Sequence, residues 1–164
     1  MELPNRKLPR LSNYDYGSAG AYFITICTHQ KEHLFGRIYN NSMHLNDIGL
    51  IVNSEINKIE SRYSNIKIDK YTIMPNHVHM IIFVDLTERI NPFPTKACDI
   101  PNIIGKFKAG VTRAVGNAFM HSDDNKIWQS SYHDHIIRNR DDYINIWKYI
   151  DTNVLRWDID CFHS

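Results

Sequence analysis

Two histidines separated by one residue are the most suggestive chemical feature of the sequence. His77 and His79 lie in the run MPNHVHMII, which otherwise has the composition of a buried strand. Side chains at i and i+2 of a strand project from the same face, so the two imidazoles would lie together while Val78 points into the opposite layer. Such a pair can chelate one divalent metal ion, or both can be structural histidines. Because the pair follows a proline turn at the rim of the sheet, we expect an open metal position that a substrate can reach.

A second histidine pair with the same spacing occurs in the segment YHDHIIR. His133 and His135 could join the first pair in a four-imidazole zinc site, but structural zinc sites more often use cysteine, and the sequence has no HExxH motif. The neighbouring Tyr132 and Arg138 instead favour a polar groove that contacts the phosphates and bases of single-stranded nucleic acid. An ordinary solvated surface is the other interpretation of these residues.

Tyr149 lies in the third chemically interesting region, a helix near the C-terminal end of the sequence. The apolar spacing of this helix predicts core packing for Tyr143, Ile146, Trp147 and Ile150. Tyr149 lies on the flank of the helix, one turn from Asn145 and one turn from Asn153. This position is typical of a residue at the boundary between core and solvent. It also places the Tyr149 phenol one turn from an asparagine amide oxygen.

Three cations lie off the apolar stripe of an earlier helix, which Pro101 opens and which runs to Phe119. These are Lys106, Lys108 and Arg113. They are candidates to hold a DNA backbone, and a solvated helix face is an equally good explanation.

The elements that must position these residues alternate between strands and helices. We predict a strand over residues 21–28, a hairpin within 34–45 that turns at Asn40 and Asn41, and strands over 66–73 and 77–84. We predict helices over 48–63, capped by Asn46 or Asp47, over 101–119, and from residue 141 onward. Residues 85–100 form a long connection without periodicity, and residues 127–140 are less regular. This order predicts an α+β fold, best described as a ferredoxin-like sandwich with a largely antiparallel sheet and helices packed on it.

The length and composition predict a single conventional domain over residues 1–164. The chain has 43% hydrophobic and 23% charged residues, which are ordinary globular values, and a formal net charge of +1 that neither favours nor excludes nucleic acid. Because no apolar run approaches the roughly 20 residues of a membrane helix and no signal peptide is recognisable, we expect a cytoplasmic protein without a membrane partner. The three cysteines, Cys27, Cys98 and Cys161, lack CxxC spacing and are interpreted as reduced and structural.

Three stretches taken together resemble the REP-associated tyrosine transposases. They are YTIMPNHVHMII, IWQSSYHDHIIR and DDYINIWKYIDTN, in that order and at these separations. The similarity extends from GAYFITICT through LNDIG and FKAGVT to the final YIDTN, and so covers nearly the whole chain. This family is related to the single-strand insertion-sequence transposases, within the HUH endonuclease superfamily.

The resemblance implies a fold, a reaction and a set of site residues. It implies the HUH endonuclease fold, with His77 and His79 as ligands of Mg²⁺ or Mn²⁺, Asn153 as a polar third ligand and Tyr149 as the nucleophile. The implied reaction cleaves and rejoins single-stranded DNA through a 5′-phosphotyrosine intermediate that leaves a free 3′-hydroxyl. The implied partners are DNA hairpins formed by palindromic repeats, which would place the protein at the nucleoid, either as a homodimer or as a monomer.

Two other function classes stay open. A metal-dependent nuclease could use water as its nucleophile, in which case Tyr149 would be incidental to the chemistry. A domesticated relative could bind DNA without cutting it. An RNA-recognition domain is disfavoured, because the sequence has no aromatic RNP1 string.

Overall fold

The computed structural model describes residues 19–85, 99–119 and 126–162. Six strands are present in this part of the chain: β1 (Gly20–Cys27), β2 (Gly36–Tyr39), β3 (Ser42–Leu45), β4 (Ile66–Met74), β5 (His77–Val84) and β6 (His133–Ile137). The three α-helices are α1 (Asp47–Arg62), α2 (Ile100–Phe119) and α3 (Arg140–Thr152). Short 3₁₀ turns span His29–Lys31 and Val154–Ile159. Most of the predicted connection over 85–100, together with Cys98, lies outside the described residues.

The main sheet has four strands in the order β4-β5-β1-β6, and every neighbouring pair is antiparallel. Without the β2–β3 hairpin, the chain order of strands and helices up to β6 is βαββαβ, and the sheet order is that of a ferredoxin-like sandwich. The predicted fold class is therefore confirmed. The sequence did not predict β6, which lies in the segment that we interpreted as irregular.

Strand β5 is buried on both faces of the sheet, and successive side chains along it point to alternate faces. Val78, Met80 and Ile82 join the hydrophobic core that includes buried residues of α1 and α2. The alternate residues His77, His79 and Ile81 are also buried, on the opposite face. In the register with β1, Cys27 lies opposite His77 and Thr25 lies opposite His79.

Asparagine side chains cap the starts of α1 and α3, and Asn46 is one of the two caps predicted for α1. Asn46 is the N-cap of α1, and its side chain accepts a hydrogen bond of 2.9 Å from the backbone N–H of Gly49. The N-cap of α3 is Asn139, whose side chain accepts a 2.9 Å bond from the N–H of Asp142. Helix α3 therefore begins one residue earlier than predicted.

Helix α3 lies against β4 and β5 of its own chain, and polar contacts anchor it there. The Tyr143 hydroxyl donates a 2.7 Å hydrogen bond to Asp69, and the Lys70 ammonium lies 3.6 Å from the centre of the Trp147 ring. Lys70 also pairs with Asp151 on the next turn of the helix. The prediction that Tyr143 is a core residue is therefore wrong, because its phenol reaches a carboxylate on the solvent side of β4.

Every helix within the described residues is too short or too polar to cross a lipid bilayer.

Candidate active site

The histidine pair lies where the sequence predicts, at the start of β5 beside the β4–β5 turn. The ring centres of His77 and His79 are 4.4 Å apart, and neither side chain has any solvent exposure. Burial lowers the pKa of His77 from 6.5 to about 4 and holds that of His79 well below its usual range, with the neighbouring His77 as a second cause. Both rings are therefore neutral at pH 7, which is the form that binds a metal ion.

Each ring uses its Nδ1 atom for a hydrogen bond within the fold. The His79 Nδ1 atom lies 2.8 Å from the Thr25 hydroxyl, and the His77 Nδ1 atom lies 2.7 Å from the amide oxygen of Asn76. The His77 Nε2 atom is buried and has no hydrogen-bond partner among the described residues. The Nε2 atoms are therefore the ones available to a ligand.

Helix α3 places Tyr149 directly against the histidine pair. Its hydroxyl lies 3.3 Å from the Nε2 atom of His79 and donates a 3.3 Å hydrogen bond to the Oδ2 atom of Asp160. Burial raises the pKa of the Tyr149 phenol, and the negative charge of Asp160 raises it further. The phenol therefore carries its proton in this arrangement.

Asn153 and Asp160 complete the cluster. Asn153 is 1% exposed at the C-terminal end of α3, its amide donates a hydrogen bond to Asp160, and its Oδ1 atom has no partner among the described residues. Burial is the main cause of the lowered pKa of His77 and of the raised pKa of Tyr149, and hydrogen bonding by the Asn153 side chain acts against burial in both groups.

One ligand atom each from His77, His79 and Asp160 lies within 4.8 Å of the other two. Two neutral imidazoles, a carboxylate and an amide oxygen without a partner among the described residues form a donor set that can hold a divalent metal ion. Sequence reasoning missed Asp160, which lies in a 3₁₀-rich stretch with no helical period. The only signal for it was the presence of carboxylates shortly after the tyrosine helix.

The C-terminal segment, residues 154–162, covers this cluster. The Phe162 ring centre lies 4.9 Å from that of His77 and 5.5 Å from that of His79, and Trp157 stacks on His77 at 6.0 Å. The Phe162 N–H donates a 2.7 Å bond to Asp160. The expectation of an open metal position at the rim is therefore wrong for this conformation, because the chain places aromatic rings over it.

The second histidine pair lies on the same face of the sheet as the first but does not join it. His133 and His135 are the β1 partners of Thr25 and Phe23, and the His135 Nε2 atom is 2.8 Å from the Asp142 carboxylate. Within the described residues, the three-ligand cluster of potential metal ligands includes neither of them. A four-imidazole zinc site is therefore not formed. Arg138, at the end of β6, is exposed.

The three cations of α2 are separated from the cluster by the sheet, because α2 packs with α1 on the opposite face. Lys106 and Arg113 are exposed on that side. The Lys108 ammonium donates hydrogen bonds of 2.5 to 3.4 Å to the backbone carbonyls of residues 129–131. Lys108 therefore anchors the connection that leads into β6, and its DNA contact stays a prediction that the salt dependence of binding can test.

Comparisons with known proteins agree with this architecture. A structure of a REP-associated tyrosine transposase bound to a REP hairpin superimposes with a TM-score of 0.61 at 21% identity, covering 95% of this chain and 74% of that one. The crystal structure of a proposed transposase from Deinococcus radiodurans R1 gives a TM-score of 0.53 at 15% identity, covering 87% and 95% of the two chains. At these identities the similarity shows the fold.

Sequence comparison identifies the family. A protein of Haemophilus influenzae, itself uncharacterised, is 38% identical over 170 aligned positions, which cover 95% of this chain and 92% of the relative. The family model described as "Transposase IS200 like" matches residues 22–153, a region that contains the histidine pair, Tyr149 and Asn153. The chain therefore belongs to the IS200-like transposase family.

Proposed function

We propose that this transposase cleaves and rejoins single-stranded DNA, with Tyr149 as its nucleophile. The observation that carries the proposal is the meeting of two buried, neutral imidazoles with one half-buried phenol and one half-buried carboxylate in a single cluster. A fold that only bound DNA would gain nothing from burying two imidazoles beside a phenol and a carboxylate while leaving the His77 Nε2 atom without a hydrogen-bond partner among the described residues.

A divalent cation, Mg²⁺ or Mn²⁺, belongs to this proposal. His77, His79 and Asp160 would hold it, and the unpartnered Oδ1 atom of Asn153 is available as a further donor, as the family resemblance implies. When bound, such an ion neutralises charge on a phosphodiester and helps to orient it for in-line attack.

The chain supplies the nucleophile and a place for its proton. The Tyr149 oxygen forms a bond to phosphorus, the bond from phosphorus to the 3′-oxygen breaks, and the DNA strand leaves with a free 3′-hydroxyl once that oxygen is protonated. Asp160 accepts the phenol hydrogen bond, so its carboxylate is our candidate to take the phenol proton. The resulting 5′-phosphotyrosine keeps an activated phosphodiester, so that a 3′-hydroxyl can reverse the step and rejoin the strand.

The proposed partner is a single-stranded DNA hairpin formed by a palindromic repeat. A structural neighbour carries a REP hairpin, which supports this class of ligand. His133, His135 and Arg138 are the candidates to contact its phosphates. Strand β6 is the edge strand of the main sheet, and His133 and His135 lie on the same face as the histidine pair. Activity on chromosomal hairpins would place the protein at the nucleoid, in the cytoplasm.

The contacts of α3 support a reaction carried out within one chain. Helix α3 is held on β4 by Asp69 and Lys70 of the same molecule, so Tyr149 reaches the histidine pair without help from a second copy. A homodimer stays a prediction from the family resemblance, and this arrangement does not require one.

The test is a covalent-adduct assay. Purified protein is incubated with Mn²⁺ or Mg²⁺ and a 3′-labelled single-stranded DNA that contains a hairpin from beside its own gene, and the products are run on denaturing gels. We expect a protein–DNA adduct with the wild type that is absent with Tyr149→Phe. The matched control is Tyr143→Phe, which removes a phenol from the same helix outside the cluster and should still form the adduct.

Other outcomes identify the alternatives. DNA cleavage that leaves no covalent adduct, and that persists in the Tyr149→Phe variant, would support a nuclease that uses water. Tight hairpin binding without cleavage in either metal, across several hairpins from that locus, would support a protein that only binds DNA.

A further inference from the structure

Asn76 has a contact pattern that its place in a turn does not require. It follows Pro75 in the β4–β5 turn, and its side chain is 1% exposed. Its amide nitrogen donates hydrogen bonds of 3.3 Å to the Lys31 carbonyl and 2.8 Å to the Phe162 carbonyl. Its amide oxygen lies 2.7 Å from the Nδ1 atom of His77. A turn asparagine ordinarily faces solvent, whereas this one is buried with both ends of its amide engaged.

These contacts determine which way the amide points. Carbonyl oxygens only accept hydrogen bonds, so the NH₂ group of Asn76 must face Lys31 and Phe162. Its oxygen then faces His77, and because an amide oxygen also only accepts, the Nδ1 atom of His77 must carry the proton. A neutral imidazole has a single ring N–H, so the Nε2 atom of His77 keeps its lone pair. That atom is buried and lacks a hydrogen-bond partner within the described residues.

His79 provides the contrast. Its Nδ1 atom contacts the Thr25 hydroxyl, which can donate or accept by rotating and therefore does not select a tautomer. Asn76 has no such freedom, and the turn that carries it is itself clamped to the end of β1. Its backbone carbonyl accepts bonds from both the N–H and the hydroxyl of Thr28, at 2.9 and 3.0 Å.

We propose that Asn76 is a positioning residue that fixes the tautomer and ring orientation of His77 so that its Nε2 lone pair faces Asp160 and His79. This proposal rests on the proposed function, since it assigns the lone pair to a metal ion. Hydrogen-bond partners on the far side of a metal-binding histidine contribute about 10- to 100-fold to metal affinity or activity. We expect Asn76 to contribute within that range.

The first experiment uses the metal-free wild-type protein. Long-range ¹H–¹⁵N correlation spectra of ¹⁵N-histidine-labelled protein near pH 7 distinguish the two neutral tautomers, and comparison with His77→Gln assigns the signals. We expect His77 to carry its proton on Nδ1. A proton on Nε2 would overturn the proposal, and this measurement does not depend on the folding of an Asn76 variant.

The second experiment measures Mn²⁺ binding by calorimetry in two variants. Asn76→Asp keeps an oxygen acceptor for the Nδ1 proton and removes the two donors, whereas Asn76→Ala removes the acceptor as well. We expect the Ala variant to lose the single tautomer and to bind Mn²⁺ about 10- to 100-fold more weakly. We expect the Asp variant to keep the tautomer and most of the affinity. A purely structural role predicts a loss in the Asp variant at least as large as in the Ala variant, because its carboxylate would face the Lys31 and Phe162 carbonyls. Unchanged Mn²⁺ affinity in the Ala variant would also refute positioning.

The two proposals fail separately. If the wild-type protein binds no Mn²⁺ or Mg²⁺, the metal centre of the proposed function is wrong. If the wild-type protein binds Mn²⁺ while His77 carries its proton on Nε2, only the role of Asn76 is wrong.

Discussion

The buried histidine pair predicts that the metal-free protein loses stability in mild acid. The pKa of His77 is 6.5 in an unfolded chain and about 4 in the folded protein, because burial disfavours the imidazolium. The unfolded state therefore binds a proton more readily. The contribution of His77 to the free energy of unfolding falls as the pH drops below about 6.5, and it stops falling near pH 4. Between pH 7 and pH 5 the loss from His77 alone is about 2 kcal/mol.

Urea denaturation of metal-free protein at pH 7, 6 and 5 measures this loss, and His77→Gln isolates it. The variant removes one titrating imidazole while keeping a polar side chain, so other groups that change protonation, His79 included, affect both proteins. We expect the variant to be less stable than wild type at pH 7 but to lose about 2 kcal/mol less between pH 7 and pH 5. Equal losses in the two proteins would show that His77 is not held neutral by burial.

Three further predictions test the proposed metal centre, the proposed DNA surface and the packing. Saturating Mn²⁺ at about 100 times its dissociation constant should stabilise the wild type by about 2.7 kcal/mol in thermal unfolding, and much less in Asp160→Asn. When hairpin binding is measured across a salt series, Arg138→Ala should lower the magnitude of the slope of log affinity against log salt concentration by about 1. Lys108→Ala should leave that slope unchanged, and it should lower the free energy of unfolding by about 1 kcal/mol. Gly49→Ala should destabilise the fold by about 1–3 kcal/mol, because its Cβ would lie 2.1 Å from the Phe35 carbonyl oxygen. A Cβ at Gly116 would meet no atom within 4 Å outside its own helix backbone and chain neighbours, within the described part of the chain. Gly116→Ala should therefore stabilise α2 by about 0.5–1 kcal/mol in urea denaturation.

Features set by neighbours in sequence were predicted correctly. The alternation of β5 places His77 and His79 on one face and Val78 on the other because a strand repeats every two residues wherever it is located. The start of α1 followed from a cap at Asn46 or Asp47, and Asn46 is the cap, whose side chain bonds only three residues ahead. The ferredoxin-like order followed in turn from correct placement of the longer strands and helices.

Features set by distant contacts were missed. Strand β6 is short, and it forms by pairing with β1, more than a hundred residues earlier in the chain. The position of Tyr143 depends on Asp69, and that of Lys108 depends on three carbonyls, so neither could be inferred from helical periodicity. Asp160 belongs to the site only because the chain folds back over β5 after α3.

If the cluster takes a phosphodiester, as proposed, the covering segment links substrate binding to a local conformational change. The histidine pair and Asn153 are almost completely buried, so a phosphodiester cannot contact them until residues 154–162 move. Only Trp157 of the 3₁₀ turn is buried, while Leu155 and Ile159 are 63% and 73% exposed. A segment with so little buried apolar surface opens at a free-energy cost below that of global unfolding. The apparent affinity for a DNA strand in the cluster would therefore equal the intrinsic affinity multiplied by the fraction of molecules in which this segment is open.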